Sequence, residues 1–242
     1  ASQTRDLLAQ HYGNVSLEQA DIIVCLGGDG FMLETLHKVL DADLSTPVYG
    51  MNCGSVGFLM NPLQQDNLPE RLARTQAAEL NPLYMTAVSD TGEVTHALAL
   101  NDVFLFRQTR QAAKLRIDVD EHVRLHELIC DGALISTPAG STAYNLSAHG
   151  PIVPLSGNLL PLTPICPFRP RRWRGALLPS TAHVRFSVLE HEKRPVAAVA
   201  DSLEIRNVVA VDVHEDRSQK VTVLFDPGQT LSERIVAEQF SS

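Results

Sequence analysis

The chain is poor in the features that mark several large protein classes. Aromatic residues make up only 5% of its 242 positions, so any core is expected to be aliphatic. Its four cysteines, Cys25, Cys53, Cys130 and Cys166, are far apart and form no Cys-x-x-Cys pair. That spacing excludes the usual zinc clusters and argues for free thiols in a reducing, cytoplasmic setting. No apolar run reaches the length of a membrane span. Basic residues are too few for a general nucleic-acid binder: 20 Lys and Arg face 28 Asp and Glu, for a net charge of -8. Neither a nucleic-acid nor a membrane partner is expected. Internal repeats and low-complexity segments are missing as well.

What is present falls into two textures. Up to about residue 80 the pattern alternates between strand and helix. Asp21–Leu26 is apolar after its first residue, as in a strand buried on both faces of a parallel sheet. Phe31–Leu40 has helical spacing, Pro47–Met51 reads as a second strand, and Asn67–Ala78 as an amphipathic helix. After Asn81-Pro82 short β-like runs dominate. They include Leu83–Ser89 and Glu93–Leu100 around the hairpin signal Asp90-Thr91-Gly92. Others lie at Val103–Arg107, Leu115–Val119, Val123–Cys130, Gly132–Ser136, His183–Leu189, Val196–Val199, Val208–Val213 and Val221–Phe225. The expected fold is an α/β N-terminal domain (1–80) followed by a mostly antiparallel β domain (81–226). A tail (227–242), helical from Leu231 to Phe240, is expected to pack back on the first domain.

Four polar constellations interrupt these runs. The first follows the apolar strand: Gly27-Gly28-Asp29-Gly30. Gly28 and Gly30 fit two positions of a dinucleotide-binding turn, but Leu33 stands where a third glycine belongs. A Walker A loop is excluded because no Gly-Lys-Ser/Thr follows. Glycines that can adopt positive φ and a helix N-terminus favour anionic oxygen. A carboxylate there would repel phosphate unless it faces a hydroxyl or a cation, which points to phosphoryl transfer. The alternative is that Asp29 merely caps the helix.

The second constellation, Asn52–Leu59, also follows a strand and should share a sheet edge with Asp29; Phe58 within it could stack on a base or fill a core. The third, Asn101-Asp102, sets two polar residues inside a β run, where they need partners if buried. Asn offers both a donor and an acceptor to an adenosine, and Asp accepts from hydroxyls; a bulge or turn is the plainer explanation. The fourth is Asp131–Ser147, DGALISTPAGSTAYNLS, in which a strand ends at Thr137-Pro138 and glycine and hydroxyl residues lead into a helix.

Together these segments, with Gly150–Pro154 and Leu162–Pro167, resemble the NAD kinase family. The resemblance runs from about residue 20 to 170 and more weakly to about 225. The GGDG turn is shared with diacylglycerol kinase-type folds, whereas the long DGALISTPAGSTAYNLSAHGPIVP segment is specific. The resemblance implies ATP-dependent phosphorylation of NAD at the 2′-hydroxyl of its adenosine ribose, with Mg²⁺ as cofactor. It implies no fixed protein metal site, the ion arriving with ATP and Asp29 as a candidate ligand, and a homodimer or homotetramer. Asp29 is then the catalytic residue, facing the reacting ribose. Gly28, Gly30 and Asn52 belong to the nucleotide site; Asn101 and Asp102 contact adenosine, and Phe58 and Thr142 its base. Ala143, Tyr144 and Ser147 line the dinucleotide site, Asp131 reaches a neighbouring subunit's ligand, and Asp201 lies near the nicotinamide half.

The chain departs from that pattern in places. Phe31 stands where many members have Thr, and His149 replaces a common Gly. The segment Phe168–Arg174 carries four arginines that could clamp a triphosphate or lie in a solvated or inter-subunit loop. Rival readings are a lipid kinase sharing the GGDG turn and a non-catalytic NAD(H)-binding sensor.

Overall fold

The computed structural model describes residues 1–54 and 57–240. Along the chain, α1 (Ser2–Tyr12) leads to β1 (Ile23–Gly27), α2 (Asp29–Asp41), β2 (Val48–Asn52), β3 (Asn61–Pro62), α3 (Leu68–Leu72) and β4 (Gln76–Leu80). The β-rich part follows: β5 (Leu83–Ser89), β6 (Val94–Ala99), β7 (Asp102–Arg107), β8 (Ala113–Val119), β9 (His122–Cys130) and β10 (Gly132–Ser136). After the single-turn helix α4 (Tyr144–Ser147) come β11 (Leu159–Ile165), β12 (Ala176–Pro179), β13 (Val184–Val188), β14 (Val196–Ala200), β15 (Leu203–Ile205) and β16 (Val208–Glu215). The chain ends with β17 (Val221–Phe225) and α5 (Leu231–Glu238).

Two compact units result, Ala1–Leu80 with Ser218–Ser242, and Asn81–Arg217. The first unit's sheet runs β1-β2-β17-β4, with β3 beside β2. β1 and β17 flank β2 in parallel, and β4 closes the far edge antiparallel. β17 therefore belongs to this sheet, and the second unit ends at Arg217 instead of at residue 226. The expected helix over Asn67–Ala78 stops at Leu72. Gln76–Leu80 is a strand, because its backbone pairs along β17, whose Val221, Val223 and Phe225 are buried. β1 is not buried on both faces as its composition suggests. It terminates the sheet order, and only Cys25 in it is fully buried, whereas the interior β2 is buried over Val48–Met51.

The second unit is built from two six-stranded antiparallel sheets, β12-β11-β10-β7-β14-β15 and β6-β5-β16-β13-β8-β9. The alternating burial of β5, β8 and β13 turns one face of each strand inward. A single aliphatic core takes residues from both sheets, with Phe186 its one fully buried aromatic ring. β10 lies between β11 and β7 and is buried throughout. The chain changes sheet twice near polar motifs, at Asn101-Asp102 between β6 and β7 and at Asp131 between β9 and β10.

One buried side chain ties the first unit together. The Asn61 amide donates to the carbonyls of Gly50 and Leu224, each at 3.0 Å, and its oxygen accepts from the Asp226 N–H at 2.8 Å. Asn61 thus joins β2, β3 and the end of β17 with no exposure to solvent. Truncating it strands backbone groups that each cost about 1–3 kcal/mol when buried unpaired. Urea unfolding of Asn61→Ala is therefore expected to show a loss of roughly 2–3 kcal/mol, with secondary structure at low denaturant unchanged.

Candidate functional site

In the first unit, β1 and β2 run parallel in register, so Gly27 lies opposite Asn52. The Cys53 N–H donates to the Gly27 carbonyl at 2.8 Å and ties the two strand-end turns together. Both constellations thus share one sheet edge, the end at which open α/β sheets bind ligands. Asp29 is the first residue of α2, and Gly28 ahead of it is extended without a side-chain cap. Asp29 does not cap its own helix. Its carboxylate accepts the backbone N–H groups of Phe58 at 2.6 Å and Leu59 at 2.8 Å.

The turn's glycines serve space, not left-handed backbone. Gly27, Gly28 and Gly30 are not among the residues with positive φ. A Cβ at Gly28 or Gly30 would meet nothing within 4 Å, so these positions leave open room beside the helix N-terminus. Gly57 is different: a Cβ there would lie 2.9 Å from an Asp29 carboxylate oxygen and 2.8 Å from Met60. Asn52 holds its own turn by accepting the Gly54 N–H at 3.0 Å. Phe58 is half-buried, and its peptide group is what meets Asp29. Phe31 exposes its ring on the first turn of α2. Ser55 and Val56, part of the second constellation, lie outside the described residues.

In the second unit, one end of the β10-containing sheet collects the third and fourth constellations. Asp102 pairs with Ser136 across β7 and β10. The Asp201 carboxylate, in the turn between β14 and β15, accepts three backbone N–H groups: Leu100 at 2.7 Å, Asn101 at 3.0 Å and Asp102 at 3.3 Å. The Asn101 carbonyl accepts from the Thr137 N–H at 2.9 Å and the Ser136 hydroxyl at 3.2 Å. Gly140 packs so tightly on that carbonyl that a Cβ would sit 2.0 Å from its oxygen. The Asn101-Asp102 turn is thus held on its N–H side by a carboxylate and on its C=O side by the segment after β10.

The helix expected after the glycine and hydroxyl residues is the single turn of α4; ahead of it Ala139–Thr142 form a 3-10 turn, with Ala143 in a non-helical conformation between them. Hydrogen bonds to non-helical neighbours explain the break. The Ser141 hydroxyl donates to the Pro138 carbonyl at 2.6 Å and accepts the Val153 N–H at 3.1 Å. The buried Asn145 amide donates to the Ser141 and Pro151 carbonyls, each at 3.0 Å, and its oxygen accepts from the Thr163 hydroxyl at 2.7 Å. Thr142, Ala143 and Tyr144 are half-exposed and Ser147 exposed, while Ser141 and Asn145 hold the segment from behind. The Tyr144 ring meets Phe104 edge-on at 5.0 Å.

Asp131 and the arginines lie elsewhere. Asp131 precedes β10, about 16 Å of strand from Ser136, and its carboxylate accepts from Arg107 Nε at 2.5 Å. The loop from Phe168 docks on β9 through Ile129, whose N–H donates to the Arg169 carbonyl at 2.8 Å. Arg171 lies over the Phe168 ring at 5.0 Å, and Trp173 packs on the second unit's core. The arginine-rich loop therefore keeps company with Asp131, not with Asn101-Asp102.

Gly57, Thr137 and Asn145 lie inside the polar constellations but were not singled out as site residues, and Arg234 lies outside them all. Asn145 sat inside the quoted segment, but its polarity alone does not separate a ligand contact from a buried brace. Asp102 is the buried acid of the site. Burial, and then the negative charge of Asp201, push its carboxyl from an ordinary 3.8 up to about 7. Burial and the charge of Asp102 likewise raise the Tyr144 phenol.

Comparison with known proteins supplies the family. Residues 9–80 match the ATP-NAD kinase N-terminal domain, and residues 100–224 match the ATP-NAD kinase C-terminal domain. An NAD kinase of Caulobacter vibrioides is 57% identical over 242 residues, all of this chain and 92% of the relative. One of Brucella melitensis biotype 1 is 55% identical over 233 residues, 96% of this chain and 90% of the relative. A crystal structure of yeast NADH kinase complexed with NADH superimposes with a TM-score of 0.76 at 25% identity, over 91% of this chain and 66% of that one. That of an NAD kinase from Archaeoglobus fulgidus in complex with ATP gives 0.76 at 22%, over 98% and 93%.

The raised Asp102 carboxyl gives a stability prediction with a definite sign. Between about pH 4 and 7 the folded chain keeps a proton that the unfolded chain releases, so stability falls as pH rises through that window and falls no further above it. Urea titrations at pH 5 and pH 8 are expected to show this component in the wild type and not in Asp102→Asn. At pH 8 the variant is expected to be the more stable, by on the order of 3–4 kcal/mol.

Proposed function

Because the chain belongs to the ATP-NAD kinase family, we propose that it transfers the γ-phosphoryl group of ATP to the 2′-hydroxyl of the adenosine ribose of NAD, giving NADP. The observation that carries this reading is the Asp29 carboxylate, fixed by two backbone N–H groups at a strand end with open space at Gly28 and Gly30.

A carboxylate is a far weaker base than an alkoxide, so the ribose hydroxyl keeps its proton until bond formation is advanced. In a loose phosphoryl-transfer transition state that is no obstacle. Asp29 then accepts the hydroxyl proton as a hydrogen bond, aims the oxygen at phosphorus, and takes the proton late. A carboxylate offers about four lone-pair sites, and Phe58 and Leu59 occupy two. The remaining sites suffice for a hydroxyl and for one bond to a cation, which fits a metal held chiefly by the triphosphate. Mg²⁺ bound to ATP would neutralise charge on the triphosphate. The N-terminus of α2 and the room at Gly28 and Gly30 suit phosphate oxygen, and Asn52 belongs to the same nucleotide subsite.

In the second unit, Asn101 offers a donor and an acceptor to adenosine, and Asp102 accepts from a hydroxyl once ionised. Thr142 serves the base; Ala143, Tyr144 and Ser147 line the dinucleotide site with their accessible faces. Asp201 serves this site through the backbone of residues 100–102. Asp131, at the far end of β10, is the residue assigned to a neighbouring subunit's ligand in a homodimer or homotetramer. Four free thiols suit a cytoplasmic enzyme.

The test is a coupled assay with NAD and Mg-ATP, NADP being read by an NADP-specific dehydrogenase. Wild-type protein is expected to form NADP. Asp29→Asn is expected to keep NAD affinity and to lose turnover by roughly 10²–10⁴-fold. Near-normal turnover in that variant would remove Asp29 from the mechanism.

A further inference from the structure

The loop that holds Asp29 is itself held from the opposite side. In α5, Arg234 Nη1 donates to three carbonyls: Gly57 at 2.9 Å, Phe58 at 3.0 Å and Met60 at 2.7 Å. Its Nε donates to the Gln229 carbonyl at 3.0 Å, and its guanidinium lies 5.4 Å from the Phe225 ring centroid. The Gly57 carbonyl and the Phe58 N–H belong to one peptide unit, and the Phe58 carbonyl and the Leu59 N–H to the next. Those two N–H groups are the donors to the Asp29 carboxylate. Two consecutive peptide planes therefore stand between a guanidinium on their oxygens and a carboxylate on their nitrogens.

We propose that Arg234 is a positioning residue for Asp29, acting through these two peptide units. Each peptide is planar and conjugated, so fixing its oxygen fixes the direction of its N–H. A cation on the carbonyl also polarises the unit and strengthens the N–H as a donor. The guanidinium suits the task because its donors have a fixed planar geometry, whereas a lysine ammonium is a point charge on a flexible stem. The helix that carries Arg234 is firmly seated: Leu231 and Ile235 are fully buried, and Thr230 and Glu233 form a reciprocal cap at its start. Arg234 also feels Asp29 and Asp226 electrostatically, both of which favour its charged form against the cost of burial. A carboxylate that must aim a hydroxyl within a fraction of an ångström gains from such a backing, since a misplacement of about 1 Å can cost ~10²-fold in rate.

The kinetic test rests on the kinase reading. In the full chain, Arg234→Met is expected to lower kcat by roughly 10–100-fold while KM for NAD stays within about threefold. Arg234→Lys is expected to recover part of the loss. On an Asp29→Asn background, Arg234→Met is expected to add no further loss, because the carboxylate it positions is already gone. Amide hydrogen exchange supplies a readout independent of activity: Phe58 and Leu59 are expected to exchange faster in Arg234→Met, with β1 and β2 unchanged. The proposal is overturned by wild-type turnover in Arg234→Met, by an equal loss on both backgrounds, or by unchanged exchange at Phe58 and Leu59. If the wild type makes no NADP from Mg-ATP, the kinase reading fails, and the exchange measurement alone still decides whether Arg234 holds the loop.

Discussion

The site in the first unit depends on a carboxylate held by backbone. Phe58 and Leu59 present their N–H groups to Asp29, and much of the unit's architecture makes that meeting possible. The parallel pairing of β1 with β2 brings the two strand ends to one edge. Gly57 lacks the side chain that would push the carboxylate away. Asn61 anchors the chain just beyond the loop to β2 and β17, and Arg234 takes the loop's carbonyls. Each element is individually modest, and all of them bear on the same short stretch of chain, residues 57–61.

The second unit repeats this logic with different parts. There the Asp201 carboxylate takes three N–H groups of the chain crossing from β6 to β7, and Thr137, Ser136 and Gly140 close on the carbonyl side. The result differs electrostatically. Burial and then the negative charge of Asp201 raise the Asp102 carboxyl to about 7. A group that costs stability at neutral pH and sits in a turn braced from two sides is a local conflict of the kind expected where function, not folding, sets the residue.

The sequence made the order of strands, the change of texture near residue 80 and the shared edge of the two glycine turns readable, because hydrophobic period and turn residues are local signals. Two errors had tertiary causes. The stretch Asn67–Ala78 has a helix-like pattern, yet β17 needs an antiparallel neighbour and recruits Gln76–Leu80. β17 itself continues a run of β signals, and nothing local says that it returns to the first sheet. The helix expected after Gly140-Ser141-Thr142 is present but runs only one turn, held by the contacts of Ser141 and Asn145 with residues 151–163. Arg234 was illegible for the same reason: only the folded chain brings position 234 to positions 57–60.

That the holding groups are peptides, not cations in direct contact, matters for the chemistry. A lysine or arginine against the Asp29 oxygens would fix them equally well but would cancel their charge and occupy the lone pairs that a hydroxyl needs. Peptide N–H groups are dipoles. They direct the carboxylate, leave its net charge in place and take only part of its acceptor capacity. Placing the guanidinium one peptide further away keeps its orienting and polarising effect while separating it from the reacting oxygen. An acidic chain with net charge -8 that uses ATP has to meet a triphosphate without a large basic surface. The proposed function relies on short-range groups for this, namely the α2 N-terminus, peptide dipoles and the open room at Gly28 and Gly30. The carboxylate that such a site would otherwise reject is then kept where its charge is useful, against a hydroxyl or a cation.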